Sequence, residues 1–327
     1  MSRPRVVLRA DASPDVGGGH AMRCLAIAEA LTAEGAEVAF AVGPRAAEIV
    51  PAVRRFPVIA PEPAGGADAV LLDGYHLTAE HARAWAEAGA AVAVLDDAPG
   101  RPRPCALWID PTPGRTAEAY AGTVGEARLL LGPDYAPVAA AYGRLRSATL
   151  QRRARGGPVQ VVLVSTGLTD AAGLAPAAAA AALAACPNAS VDVAVGSSAV
   201  TLPALRELAA DQRRLTLHVD APAMAALTAG ADLAVGAAGS SSWERCALGL
   251  PTVALVAAEN QRDNAAALAR SGAAIVVDDL EAVQPALERL AASADQRRAM
   301  ADAAADLCDG RGAERIARAL LELVTPR

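Results

Sequence analysis

Short aliphatic runs alternate with longer Ala-rich stretches along this chain, and the alternation occurs twice. In the first half the strands are expected at Arg5–Ala10, Glu37–Val42, Ala69–Asp73, Ala91–Asp96 and Ala106–Asp110, with helices near residues 20–34 and 78–88. In the second half they are expected at Val159–Ser165, Ser190–Val195, Arg214–Val219, Leu233–Gly236, Thr252–Val256 and Ala274–Val277, with helices in the intervals. This order is the pattern of a parallel sheet with crossover helices. The expected fold class is therefore α/β, two Rossmann-like doubly wound domains with a cleft between them. Residues 150–158 are basic, rich in Gly and Pro and without apolar periodicity, and read as an exposed linker. The domains are then expected at 1–149 and 158–310, with a final amphipathic helix within 311–327 that packs back on the first domain.

Composition narrows the picture. Of the 327 residues, 53% are hydrophobic but only 3% aromatic, so the cores must be filled by Ala, Val and Leu, which favours helix-covered parallel sheets over a β-sandwich. Acidic residues outnumber basic ones 36 to 30, giving a net charge of -6 that repels polyanions, so no nucleic-acid partner is expected. No Lys occurs anywhere in the sequence, which excludes Schiff-base chemistry and a P-loop lysine. The five cysteines, at 24, 105, 186, 246 and 308, form neither a disulfide framework nor a Cys-x-x-Cys metal site, and fit a reducing cytoplasm. The N-terminal residues are too few for a signal h-region, and the Ala-rich stretch 174–187 is below spanning length, so no membrane insertion is expected.

Three constellations sit where strands give way to helices. The first runs through Asp11, Gly17, Gly18, Gly19 and His20, where glycines let the backbone approach a ligand and His20 offers a base. It does not match Gly-x-Gly-x-x-Gly, so a nicotinamide dinucleotide is not indicated. The plain reading of His20 is an imidazole bonded to its own turn. The second is Gly239-Ser240-Ser241-Ser242-Trp243-Glu244, small residues and hydroxyls suited to a diphosphate, with Glu244 able to accept from ribose hydroxyls. The same pattern also describes a serine cap and capping box. The third is Glu259-Asn260-Gln261-Arg262-Asp263-Asn264, suited to sugar hydroxyls or simply to a polar loop and helix cap. Asp73, Tyr75 and Asp96 end neighbouring strands and are expected at the same edge, while the spacing of Asp73, His76, Asp96 and Asp97 gives little support for a metal site. His81 and His218 read as ordinary surface or core histidines.

Together, Arg9-Ala10-Asp11-Ala12-Ser13, the glycine loop through His20 and Cys24, the serine turn, Glu259-Asn260-Gln261 and Asp309-Gly310-Arg311-Gly312 resemble a hydrolase family of pseudaminic acid biosynthesis. The family hydrolyses UDP-2,4-diacetamido-2,4,6-trideoxy-beta-L-altropyranose and has relatives among spore-coat polysaccharide proteins. The resemblance implies a GT-B fold and inverting, metal-independent release of UDP and free sugar, with no cofactor. It assigns His20 and Asn260 as catalytic, Gly167, Gly239, Ser240, Ser241, Ser242 and Glu244 to the nucleotide, and Asp11, Gly17, Gly18, Gly19, Asp73, Tyr75, Asp96 and Gln261 to the substrate. The implied partner is a UDP-sugar, and the chain is expected to be a monomer or weak dimer. Two departures stand out: Leu168 where the family has Gly, and Asp134 where it has Arg. The alternatives are a GT-B glycosyltransferase using a nucleotide-sugar donor, and a binding protein that has lost turnover.

Overall fold

The computed structural model describes residues 3–13, 16–63 and 65–324. They form two compact units, each built on one parallel sheet. The first unit contains residues up to Ser13, His20–Ala140 and the chain from Arg311 onward; the second contains the short glycine segment ending at Gly19 and Ala141–Gly310.

The first sheet has seven strands: β1 (Arg5–Ala10), β2 (Glu37–Ala41), β3 (Val58–Ile59), β4 (Ala69–Asp73), β5 (Ala91–Leu95), β6 (Leu107–Asp110) and β7 (Arg128–Leu131), in the order β3-β2-β1-β4-β5-β6-β7. Its helices are α1 (Gly19–Ala33), α2 (Pro44–Ile49) and α3 (Ala79–Glu87). The second sheet has six strands: β8 (Val161–Ser165), β9 (Ser190–Val195), β10 (Leu215–Val219), β11 (Leu233–Ala237), β12 (Thr252–Leu255) and β13 (Ile275–Val277), in the order β10-β9-β8-β11-β12-β13. With them run α4 (Ala140–Arg155), α5 (Ala175–Ala185), α6 (Leu202–Asp211), α7 (Met224–Gly230), α8 (Ser241–Ala247), α9 (Arg262–Ser271), α10 (Val283–Ala292) and α11 (Ala294–Leu307). The last helix, α12 (Gly312–Val324), packs against β4, β5 and the turn Pro133–Tyr135 of the first unit.

Every expected strand is present within two residues of its expected ends. The short edge strands β3 and β7 carry too little alternation to be read from sequence, because each pairs on one side only. The small-residue composition explains the packing. Along α5, Ala175, Ala178, Ala179 and Ala182 are fully buried, which lets the helix lie close on β8, β9 and α10.

The supposed linker is a correction. Residues 150–155 continue α4, and the chain passes between units just after Ala140 rather than at 150–158. The basic residues that suggested solvent are anchors. Arg153 is buried and donates to the carbonyls of Leu248 (2.7 Å), Ala231 (2.9 Å) and Thr228 (3.2 Å), and Arg152 pairs with Asp232 at 2.5 Å. A guanidinium has five donors in a rigid fork, so it can be buried where carbonyls converge.

Candidate functional site

In each sheet the strand order reverses beside the first strand, between β1 and β4 in the first unit and between β8 and β11 in the second. Loops leaving the carboxyl ends of strands on either side of such a reversal diverge and leave a crevice where ligands bind in open α/β sheets. The candidate residues fall at these two places.

In the first unit β1 and β4 end level, with Ala10 opposite Asp73. Asp73 is fully buried and is the hub of a cluster. It accepts from His20 Nδ1 at 2.6 Å on Oδ1, from Arg23 Nε at 2.6 Å on Oδ2 and from Arg23 Nη2 at 2.5 Å on Oδ1. Cys24 Sγ lies 3.4 Å from Oδ2. Burial pushes the Asp73 carboxyl up, but the Arg23 guanidinium and then His20 outweigh it and hold it well below the usual carboxylate range. The carboxylate is thus ionised and directs the Nδ1 proton of His20 to itself, which leaves Nε2 as the basic nitrogen. Tyr75 meets the His20 ring edge-on at 4.9 Å and donates its hydroxyl to Asp97 at 2.9 Å, with Arg101 over its face at 5.1 Å.

Asp73 was expected to bind substrate. The structure instead engages both of its oxygens with His20 and Arg23. Asp96 is corrected in the same way: it is 2% exposed and ion-paired with the buried Arg103, and Ala98 N donates to it at 2.9 Å. Asp11 is partly exposed, 3.3 Å from Nδ1 of His76, and Arg9 Nη2 lies 3.2 Å from Nε2 of His76. His81 contributes a cap to α3 through Thr78, and His218 pairs with Asp192 at 3.0 Å. Gly17 has φ 79°, a left-handed conformation that favours glycine, and Gly17, Gly18 and Gly19 lie on the segment that leads into His20.

In the second unit three loops leave the adjacent strands β8, β11 and β12. The β8 loop carries Gly167, exposed, at φ 119°. It is held by Asp170, buried at φ 43°, which accepts from Thr166 Oγ1 (2.7 Å), Thr201 Oγ1 (2.5 Å) and the Ala175 N–H (3.1 Å). The β11 loop carries Gly239, Ser240 and Ser241, all partly exposed. Ser242 does not join them. It is 2% exposed, with its hydroxyl toward the Ala237 carbonyl and Arg245, and belongs to the core of the turn. Glu244 is partly buried; burial pushes its carboxyl up to about 7, while the Tyr142 hydroxyl and Arg245 pull it back. Gly236 permits this arrangement, because a Cβ there would lie 2.6 Å from Arg245 Nη1 and 2.7 Å from the Ser165 carbonyl. After β12, Asn260 is exposed on a short 3-10 turn, and Gln261 accepts from the Ala257 N–H at 3.0 Å. Asn264 ties this loop to the β11 loop by donating to the Ala238 carbonyl at 2.6 Å.

Sequence reasoning gave no role of their own to Arg23 and Asp170, which lie within its motifs, and took Asn264 for sugar hydroxyls, whereas it ties two loops together. Arg23 lies one helical turn after His20, a spacing that places both on one face and could have pointed to it. Among the described residues, no group of three His, Cys, Asp or Glu side chains is placed to hold a metal ion, and no helix is long and apolar enough to cross a membrane.

Residues 205–317 match the family model described as the glycosyltransferase family 28 C-terminal domain. No curated protein matches the chain at the level of sequence. Among solved structures, MurG of Acinetobacter baumannii is similar at 16% identity and a TM-score of 0.63, covering 98% of this chain and 99% of that one. The spinosyn rhamnosyltransferase SpnG, complexed with thymidine diphosphate, is similar at 19% identity and a TM-score of 0.64, covering 98% of this chain and 100% of that one. A complex of S. aureus MnaA with UDP is similar at 13% identity and a TM-score of 0.65, covering 99% of this chain and 98% of that one. At these identities the likeness establishes the fold, a GT-B-like pair of Rossmann-like domains.

The hydrolase resemblance is corrected by these findings. The matching family model is that of a glycosyltransferase domain, and the similar structures include a rhamnosyltransferase, with nothing that supports a pseudaminic acid hydrolase. The physical reason lies in where the motifs sit. They lie at the carboxyl ends of central strands, where sheets of this order bind ligands whatever the reaction, so they do not report the chemistry carried out there.

Proposed function

We propose that this protein is a GT-B glycosyltransferase that moves a sugar from a pyrimidine nucleoside-diphosphate donor to a hydroxyl of an acceptor. The observation that carries the reading is the match of residues 205–317 to a glycosyltransferase family 28 C-terminal domain. The nucleotide complexes of SpnG and MnaA support a thymidine or uridine diphosphate donor. In this reading the second unit holds the nucleotide through the loops carrying Gly167, Gly239, Ser240 and Ser241, with Glu244 as an acceptor for ribose hydroxyls and Asn260 and Gln261 toward the sugar.

The first unit supplies the base. His20 Nε2 takes the acceptor hydroxyl proton as that oxygen bonds to the anomeric carbon. The bond from that carbon to the diphosphate oxygen breaks, and the nucleoside diphosphate leaves with the electron pair. Asp73, ionised and fixed by Arg23, stabilises the imidazolium that forms. A single base is worth roughly 100- to 10,000-fold in rate. The test is to incubate the purified protein with UDP- and dTDP-sugars, with and without a panel of sugar, phenolic and macrolide alcohols, and to follow nucleotide release. Release that requires an alcohol, and that falls at least about 100-fold in His20→Ala, is expected. Equal release without any alcohol refutes the transferase reading.

A further inference from the structure

Arg23 is the part of the His20 cluster that the transfer chemistry does not require. An Asp–His pair alone suffices to orient a base, yet here a third, permanently charged group is folded against both. Arg23 Nη2 lies 2.5 Å from Asp73 Oδ1 and 3.1 Å from His20 Nδ1, while its Nε reaches the other carboxylate oxygen at 2.6 Å. Arg23 and His20 are both less than 9% exposed, and Asp73 is fully buried, so water screens these charges little.

We propose that Arg23 is a positioning residue for His20: by clamping both oxygens of Asp73 it holds Oδ1 against Nδ1 and so fixes the Nδ1–H tautomer. The tautomer follows from the donors. Oδ1 of the ionised Asp73 can only accept and lies 2.6 Å from Nδ1, so the ring hydrogen belongs on Nδ1, while Nη2, itself a donor, gives its hydrogen to Oδ1 at 2.5 Å rather than to the ring.

The other groups around the ring do not supply this effect. Tyr75, on the loop after β4, presents its ring edge, and its hydroxyl is engaged with Asp97 after β5. Cys24, on α1, contacts Asp73 and is held in its neutral thiol form mainly by burial. His76 is occupied by Asp11 and Arg9, and burial lowers its own proton affinity. Only Arg23 brings a charge into contact with both members of the pair.

The proposal builds on the assignment of His20 as base, but its test does not use activity. The protein has four histidines, His20, His76, His81 and His218, so each imidazole can be followed in two-bond proton–nitrogen spectra of the full chain between pH 5 and 9. In the wild type His20 is expected as the Nδ1–H tautomer at neutral pH; an Nε2–H tautomer or a doubly protonated ring at pH 7 overturns the proposal. In Arg23→Met the Nε2–H share of His20 is expected to grow at least about tenfold as Asp73 loses its clamp, while Arg23→Lys, which keeps a cation on Asp73, stays near the wild type. A folded Arg23→Met variant whose His20 keeps the wild-type tautomer ratio also overturns it. If Arg23→Met does not fold, the wild-type tautomer and Arg23→Lys decide. Failure of the transferase reading, by contrast, would show only in nucleotide release and would leave these spectra unchanged.

Discussion

Gly312→Ala isolates the contact that closes the first unit. Gly312 opens α12, and a Cβ there would lie 2.1 Å from the Ala136 carbonyl oxygen and 2.6 Å from its backbone N and C. Backbone cannot swing aside as a long side chain can, so the helix must move by roughly 1 Å or leave. If it moves, the cost is that of overpacking a close contact, about 1–3 kcal/mol. If it leaves, Ile316 and Leu320, both fully buried, return to water at about 1.5–3 kcal/mol each, for a total of about 3–6 kcal/mol. Gly143→Ala is the matched control. It lies inside α4 with nothing within 4 Å of its would-be Cβ, and the same added methyl there should stabilise by about 0.5–1 kcal/mol through helix propensity. Urea unfolding followed by tryptophan fluorescence separates the units, since Trp85 and Trp108 lie in the first and Trp243 in the second. The expected result is a loss confined to the first-unit signal in Gly312→Ala and a gain in Gly143→Ala. A Gly312→Ala protein within about 0.5 kcal/mol of the wild type, or a Gly143→Ala protein equally destabilised, would refute the reasoning.

Asp73→Asn keeps the shape of the hub but leaves the Arg23 cation buried without its counter-charge, and should cost about 3–5 kcal/mol in chemical denaturation together with most of the transfer rate; a loss under about 1 kcal/mol would show that the pair is not closed. Glu244→Gln tests the ribose assignment. Because burial raises the Glu244 carboxyl to about 7, it is neutral below that pH and becomes a charged, stronger acceptor for ribose hydroxyls above it, so wild-type affinity for UDP should rise as pH increases through 7 while the variant stays flat in calorimetric titration. The same carboxyl affects stability with the opposite sign. Its folded value lies above the ordinary 4.5, so its contribution is complete below 4.5 and is lost as pH rises toward 7, and the difference in unfolding free energy between wild type and Glu244→Gln should follow that window.

The fold was legible because parallel strands buried on both faces read as aliphatic runs, and β1, β4, β8 and β11 are such runs. Their ends located the loops of interest, and His20 was picked out correctly as a titratable group at a strand-to-helix joint. Direction along a side chain was not legible. Asp73 and Ser242 occupy the positions expected of ligand-binding residues, but one turns onto His20 and Arg23 and the other into the turn beneath β11, choices made by partners far away in sequence. Arginine misled twice for one reason. Arg23 was given no role and Arg153 was read as part of an exposed linker, whereas each satisfies several acceptor sites at once in the interior. The reaction could not be read at all from the motifs, since whether water or an alcohol attacks depends on what the enzyme admits, and the fold places the same residues at the same edges in either case.

The docking of α12 on β4 and β5 also bears on how the protein is made. Residues 311–324 emerge from the ribosome after the whole second unit, yet they complete a unit whose strands emerge before it. The sheet from β1 to β7 must therefore wait, with the surface later covered by Ile316 and Leu320 open to water, while the entire second unit is synthesised and can close on its own. During translation the order of completion is reversed relative to the order of synthesis, and the interval in which that surface stays open is set by the 170 residues of Ala141–Gly310.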